Sequence, residues 1–269
     1  MNIGLIIIGD EILSGKRQDK HLAKVIELLA ARGLELSWAR YVGDDRPRIT
    51  QALRDAFTGG ELVLSCGGIG ATPDDHTRQC AAAALGVSLE LHPQARALIL
   101  ERMRDVAAEQ GHAFEPDRAD NLHRLNMGVF PRGASIVPNP YNKIPGFSVG
   151  DVHFFPGFPV MAWPMIEWVL DQRYAHLHGG ARARERSVIV FGAMEATLTP
   201  LMERIESEFA GIKVFSLPSV DHPQHGRHIE LGVKGRGTAV RMAYDALREG
   251  LSQLGAKLGP EMVRNAEPG

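Results

Sequence analysis

Gly67-Gly68-Ile69-Gly70-Ala71-Thr72-Pro73-Asp74-Asp75-His76-Thr77 follows the apolar run Leu62-Val63-Leu64 and precedes a segment that reads as helix from about Asp75. A strand, a glycine-rich turn and a helix start make a recurring anion cradle. Glycine lets the backbone approach a ligand closely, so that N–H groups rather than side chains meet it. The helix start adds unpaired N–H groups and the positive end of a dipole. A phosphate, pyrophosphate or carboxylate is the expected guest, with Gly67, Gly68, Gly70 and Thr72 as contacts. The plainer reading is a tight strand-to-helix loop capped by Asp74 or Asp75.

Working outward, Gly9-Asp10-Glu11-Ile12-Leu13-Ser14-Gly15 ends the apolar run Ile3 to Ile8 in the same way. So short an apolar run reads as a buried parallel strand with acidic residues at its carboxyl end. Val42-Gly43-Asp44-Asp45 bears the same relation to Leu36–Tyr41. Ligands of open α/β sheets sit outside the carboxyl ends of the strands, so all three acidic turns are expected to face one crevice. A helix N-terminus favours an anion by roughly 0.3–1 kcal/mol, up to about 2 when sheltered. Two like charges about 4 Å apart at an effective dielectric near 20 repel by about 4 kcal/mol. Repulsion wins unless a cation intervenes, which predicts a divalent metal such as Mg²⁺ held by carboxylates and substrate phosphates. Asp10, Glu11, Asp44 and Asp75 are the expected metal residues, with Asp74 turned away as a cap.

These residues, together with Asp19, resemble the molybdopterin-binding MoaB/Mog domain family as it occurs in the amino-terminal part of CinA proteins. Pro131-Arg132-Gly133-Ala134, Asn139, Pro145-Gly146-Phe147 and Phe155-Pro156-Gly157-Phe158-Pro159 extend the resemblance over about two thirds of the chain. It implies a three-layer α/β/α domain with a mostly parallel sheet that binds a pterin or nucleotide bearing phosphate. In the Mog branch the matching aspartates serve molybdopterin adenylylation, which makes Asp44 and Asp75 the candidate catalytic residues. In the CinA branch the domain is associated with metal-dependent (Mg²⁺ or Co²⁺) cleavage of ADP-ribose-like dinucleotides.

The leading expectation is therefore a nucleotide pyrophosphatase. The alternatives are a molybdopterin-binding adenylyltransferase or carrier, and a non-catalytic ligand-sensing oligomer. Gly9, Asp10, Ser14, Gly15, Asn139, Lys143, Pro156 and Gly157 complete the expected ligand contacts, Lys143 as a phosphate contact particular to this branch. Lys16 and Arg17 are read either as rim cations for phosphate or as exposed first-turn residues. Departures from the family pattern fall at Ala71 (proline), His21 (asparagine), Met127 (glutamine) and Met161 (glutamate), and bear on substrate identity.

The remaining features set bounds. The 269 residues suffice for one large domain and a smaller one, expected at 1–178 and 185–260 with a linker around His176–Arg184. The second reads β-α-β-β-α, a small α+β layer. Thirty basic against thirty-two acidic residues give a net charge of −2, so no global field draws nucleic acid or a membrane surface. Arg182, Arg184 and Arg186 read as a solvated linker face. Cys66 and Cys80 are the only cysteines, and no stretch approaches the roughly 20 apolar residues of a bilayer span. Together these predict a cytoplasmic protein, a homo-oligomer by family resemblance, whose partner is a small molecule. His222, His225 and His228 recur every third residue, but Pro223 and Gly226 make this a hairpin turn rather than a zinc-binding helical face.

Overall fold

The computed structural model of the protein describes residues 1–179 and 184–264. Residues 180–183, which include Arg182 of the expected linker, and 265–269 lie outside the described residues. The chain divides into two units, Met1–His178 and Gly179–Gly269.

The first unit runs β1 (Ile3–Ile8), α1 (Asp10–Leu13), α2 (His21–Ala31), β2 (Trp38–Val42), α3 (Arg46–Gly59), β3 (Leu62–Cys66), α4 (Thr77–Leu85), β4 (Leu89–Leu91) and α5 (Pro93–Glu109). It continues through α6 (Ala119–Leu125), β5 (Val129–Pro131), β6 (Ser135–Val137), β7 (Gly146–Val149), β8 (Val152–Phe155) and α7 (Pro159–Arg173). Six strands form one sheet in the order β2-β1-β3-β8-β7-β6. The first four are mutually parallel, and β7 and β6 close the edge antiparallel.

Strand β1 is buried along its whole length because both of its faces are covered. Alternate side chains point to opposite faces of a strand. Ile3, Leu5 and Ile7 accordingly pack with Val25 and Leu29 of α2 and Val169 of α7. Ile6 and Ile8 pack with Ile49 and Leu53 of α3 and Ala81 of α4. This is the expected three-layer α/β/α architecture. From β1 the chain crosses first to β2 on one side and then to β3 on the other. The reversal makes the carboxyl ends of β1 and β3 the place where two loops diverge and leave a crevice.

At the amino end of β8 a polar chain runs from the buried Ser148, His153 and Tyr174 to the exposed Asp151. Ser148 Oγ lies 2.7 Å from His153 Nδ1, His153 Nε2 lies 2.7 Å from the Tyr174 hydroxyl, and Tyr174 donates to Asp151 Oδ1 at 2.7 Å. Because Tyr174 spends its proton on Asp151, it must accept from Nε2–H, and Nδ1 must accept from Ser148. Burial, followed by repulsion from Arg173, pushes the His153 imidazolium down to about 3, so the ring is neutral.

The second unit runs β9 (Arg184–Phe191), α8 (Glu195–Glu208), β10 (Lys213–His222), β11 (Gly226–Gly235), α9 (Ala239–Gln253) and β12 (Lys257–Arg264). Its antiparallel sheet has the order β10-β11-β9-β12. Strand β12 extends the expected β-α-β-β-α series to the ferredoxin-like β-α-β-β-α-β arrangement. Val188, Val190, Leu231 and Val233 of the sheet pack with Ile205 of α8 and Leu247 of α9 in a separate core. His222, His225 and His228 sit at the β10–β11 hairpin, and the first two rings stack with centroids 4.9 Å apart. Among the described residues no helix is long and apolar enough to cross a membrane.

Candidate functional site

A cavity of about 370 Å³ opens at the carboxyl ends of the parallel strands. Its wall takes Ile8, Gly9 and Glu11 after β1, Asp44 after β2, Gly67 to Thr72 with Asp74 and Asp75 after β3, and Pro156 to Phe158 after β8. Met127, Asn139, Asn142, Ile144, Pro145 and Met161 complete the lining with a largely apolar set.

The acidic loops are bonded to each other. Asp10 N–H donates to Asp44 Oδ2 at 2.9 Å, and Asp44 N–H donates to Asp10 Oδ1 at 3.1 Å. Asp44 is thereby held facing the cavity, whereas Asp10 is absent from its wall. Burial, and then the charges of Asp10, Glu11 and Asp74, push the Asp44 carboxyl above the usual carboxylate range, against the stabilising Asp10 N–H bond. A carboxyl so placed binds a proton more readily than a free aspartate does.

The glycine turn is built around Asp75. Its Oδ2 accepts from Thr72 N–H at 2.8 Å and from Thr72 Oγ1 at 2.6 Å. A Cβ at position 70 would lie 2.5 Å from Asp75 Oδ2, so the glycine there leaves room for the carboxylate in this position. Asp75 thus folds back into the turn, and α4 begins two residues later than expected, at Thr77. Thr77 seals the base: its hydroxyl donates to Gly67 O at 3.0 Å and its N–H to Gly68 O at 3.0 Å. Asp74 faces the cavity too, held below the usual carboxylate range by a bond to Thr72.

Arg78 carries the turn from behind, a part the sequence reading did not give it. It is 4% exposed, and its guanidinium donates to the carbonyls of Ile69 and Gly70. Burial lowers its pKa to about 10, partly offset by Asp75, so it remains a cation at neutral pH. One arginine in an otherwise alanine-rich helix gives no periodic signal; only its placement behind the turn reveals its use.

The other expected contacts divide. Gly9, Gly67, Gly68, Gly70, Thr72, Asn139, Pro156 and Gly157 line the cavity; Ser14, Gly15 and Lys143 do not. Asn139 spends its amide within its own loop, donating to Asn142 Oδ1 at 2.8 Å and Ile144 O at 2.9 Å and accepting from Tyr141 N–H at 3.0 Å. Lys143, at φ 65, reaches instead to Glu101 and Asp105 of α5, each at 2.7 Å. Arg17 faces the cavity, with its guanidinium 5.9 Å from the centroid of the exposed Phe158 ring, whereas Lys16 is absent from the wall.

Asp19 stands apart from the wall, accepting from His21 N–H at 2.8 Å, Leu22 N–H at 3.1 Å and the Tyr41 hydroxyl at 2.8 Å. His21 Nε2 lies 3.0 Å from Gly157 O, so it donates there and ties the loop after β8 to α2. Cys66 is 1% exposed, and burial raises its thiol pKa, so it is an inert core residue. Among the described residues no three His, Cys, Asp or Glu side chains are placed to hold a metal ion together. The carboxylates therefore form no ready-made cage, and an ion meeting Glu11, Asp44 or Asp75 would need further oxygens from a ligand.

Residues 4–176 match the family model described as the probable molybdopterin binding domain. The chain belongs to that family. This molybdopterin-binding-domain protein is 31% identical over 220 residues to a CinA-like protein of Syntrophotalea carbinolica, covering 78% of this chain and 51% of that one. A CinA-like protein of Anaeromyxobacter sp. (strain K) is 31% identical over 252 residues, 90% of this chain and 57% of its own length. The chain thus spans about half the length of these curated relatives. The crystal structure of CinA from Thermoplasma acidophilum superposes with a TM-score of 0.53 at 28% identity, covering 64% of this chain and 96% of that one.

Proposed function

We propose that the protein binds a nucleotide or pterin carrying a phosphoanhydride in the β1–β3 crevice and hydrolyses that bond, with an ADP-ribose-like dinucleotide as substrate. The observation that carries this reading is the Asp44 carboxyl, raised above the usual carboxylate range by burial and then by its acidic neighbours, in a cavity of nucleotide-fragment size. A carboxylate with raised proton affinity is a better general base. In the proposed step Asp44 accepts a proton from water while the water oxygen bonds to phosphorus. The bridging P–O bond breaks, and two phosphomonoesters leave. Asp75, fixed by Thr72, orients the bound group. Mg²⁺ or Co²⁺ would bind through one or two carboxylates and the substrate's own oxygens, supplying charge neutralisation where repulsion otherwise prevails.

Molybdopterin binding is the second reading. It is supported by the family description and by the apolar wall of Met127, Ile144 and Met161, which suits the flat face of a pterin. Incubating the purified protein with ADP-ribose, FAD or NAD, with and without Mg²⁺ or Co²⁺, separates the two. AMP is the expected product with metal and wild-type protein, and at least about tenfold less is expected from Asp75→Asn. No cleavage of any of them, with tight pterin binding, would replace hydrolysis by the second reading.

A further inference from the structure

A second cavity of about 360 Å³ adjoins the first and shares Ala71, Thr72 and Asp75 with it. The turn is therefore a wall between two chambers, and the two sides carry opposite charge. The first chamber presents Glu11, Asp44, Asp74 and Asp75 against Arg17. The second presents Arg46, His76 and Arg78, beside Gln79 and Asn126, with Asp75 its acidic lining residue. Arg78 is committed to the carbonyls of the turn, but its charge remains. Arg46 is exposed on the first turn of α3, and among the described residues its side chain forms no ion pair or hydrogen bond. A cation without a partner beside a cavity is available to a ligand's anion.

We propose that this second chamber is an anion-binding subsite that takes a phosphate group of the ligand, across the Ala71–Asp75 turn from the chamber that takes its ring. The assignment deepens the preceding reading and rests on it for the ring. It places negative charge where the protein supplies positive charge, so the acidic chamber does not have to hold every phosphate. Arg46 is the main contact, His76 and Gln79 supply further donors, and Arg78 contributes field alone.

The test uses inorganic pyrophosphate as probe, titrated calorimetrically into the full chain at low salt, with ADP-ribose cleavage assayed separately. Arg46→Gln is expected to weaken pyrophosphate at least about tenfold and Arg46→Lys to retain most of the affinity. Arg17→Gln, on the other chamber, is expected to change it by less than about threefold. An unchanged dissociation constant in Arg46→Gln, a larger loss in Arg17→Gln, or no pyrophosphate binding by wild type would each overturn the subsite. Arg46-dependent binding without cleavage of any dinucleotide would overturn hydrolysis and leave the subsite standing.

Discussion

The two ends of strand β8 treat polar groups in opposite ways. At its amino end, Ser148, His153, Tyr174 and Asp151 form a closed chain in which each proton has one donor and one acceptor. At its carboxyl end, Pro156 and Gly157 enter a cavity whose wall carries Glu11, Asp44, Asp74 and Asp75 against Arg17. Both contain groups with displaced proton affinity, yet for different reasons. His153 is displaced chiefly by burial and its hydrogen bonds are complete, whereas Asp44 is displaced by burial and by like charge. Completed networks fix a fold; crowded, incomplete ones wait for a ligand.

The sharpest way to break this comparison is to remove one carboxylate. Asp44→Asn keeps an oxygen for the Asp10 N–H but cannot take a proton from water. Hydrolysis of ADP-ribose is expected to fall by about 10²–10⁴-fold, while the thermal midpoint stays level or rises because repulsion is relieved. Unaltered turnover in steady-state assays would make the crowding incidental.

Acid distinguishes the two ends by sign. The folded His153 titrates near 3 against about 6.5 for a free imidazole, so its stabilisation is present above pH 6.5 and is lost as pH falls toward 3. From pH 7 to 5 this amounts to about 2 kcal/mol. Asp44, with its affinity raised, contributes oppositely: its stabilisation exists when it is protonated and is lost as pH rises. Urea unfolding at pH 7 and pH 5 should give a flatter pH dependence in His153→Asn than in wild type, and a steeper one in Asp44→Asn. Parallel curves for all three proteins would show that neither group governs the response.

The smallest effect is expected where the ion pairs are exposed. Lys143→Ala severs the contacts to Glu101 and Asp105 outside the cavity. Ligand affinity should stay within about twofold of wild type in the same titrations. A larger loss would return Lys143 to the phosphate contacts.

What could be read in advance follows from how local each determinant is. Strand β1 and the glycine turn were legible because an apolar run ending in glycine and acid admits few alternatives. That Asp75 lines the crevice followed from its place after β3, but its turn-back to Thr72, and hence the delayed start of α4, depends on a loop conformation that spacing does not fix. Lys143 and Asn139 are four residues apart, yet one serves α5 and the other its own loop. Strand β12 escaped notice because it is an edge strand carrying Pro260 at an irregular register between Leu258 and Glu261, without the alternation of a half-buried strand. Helix α6 is only seven residues long, too short to display a periodic apolar face.

The reciprocal bonds between Asp10 and Asp44 also constrain how such a sequence can drift. A Cβ on Gly43 would stand 2.4 Å from Asp10 Oδ1. A side chain at position 43 therefore requires the Asp10 carboxylate to move aside, and with that movement goes the bond it accepts from Asp44 N–H, while the Asp10 N–H that holds the Asp44 carboxylate stays. Positions 10 and 43 thus share one pocket of space and position 44 is tied to position 10 through backbone N–H groups, although thirty-odd residues of chain separate the first from the others.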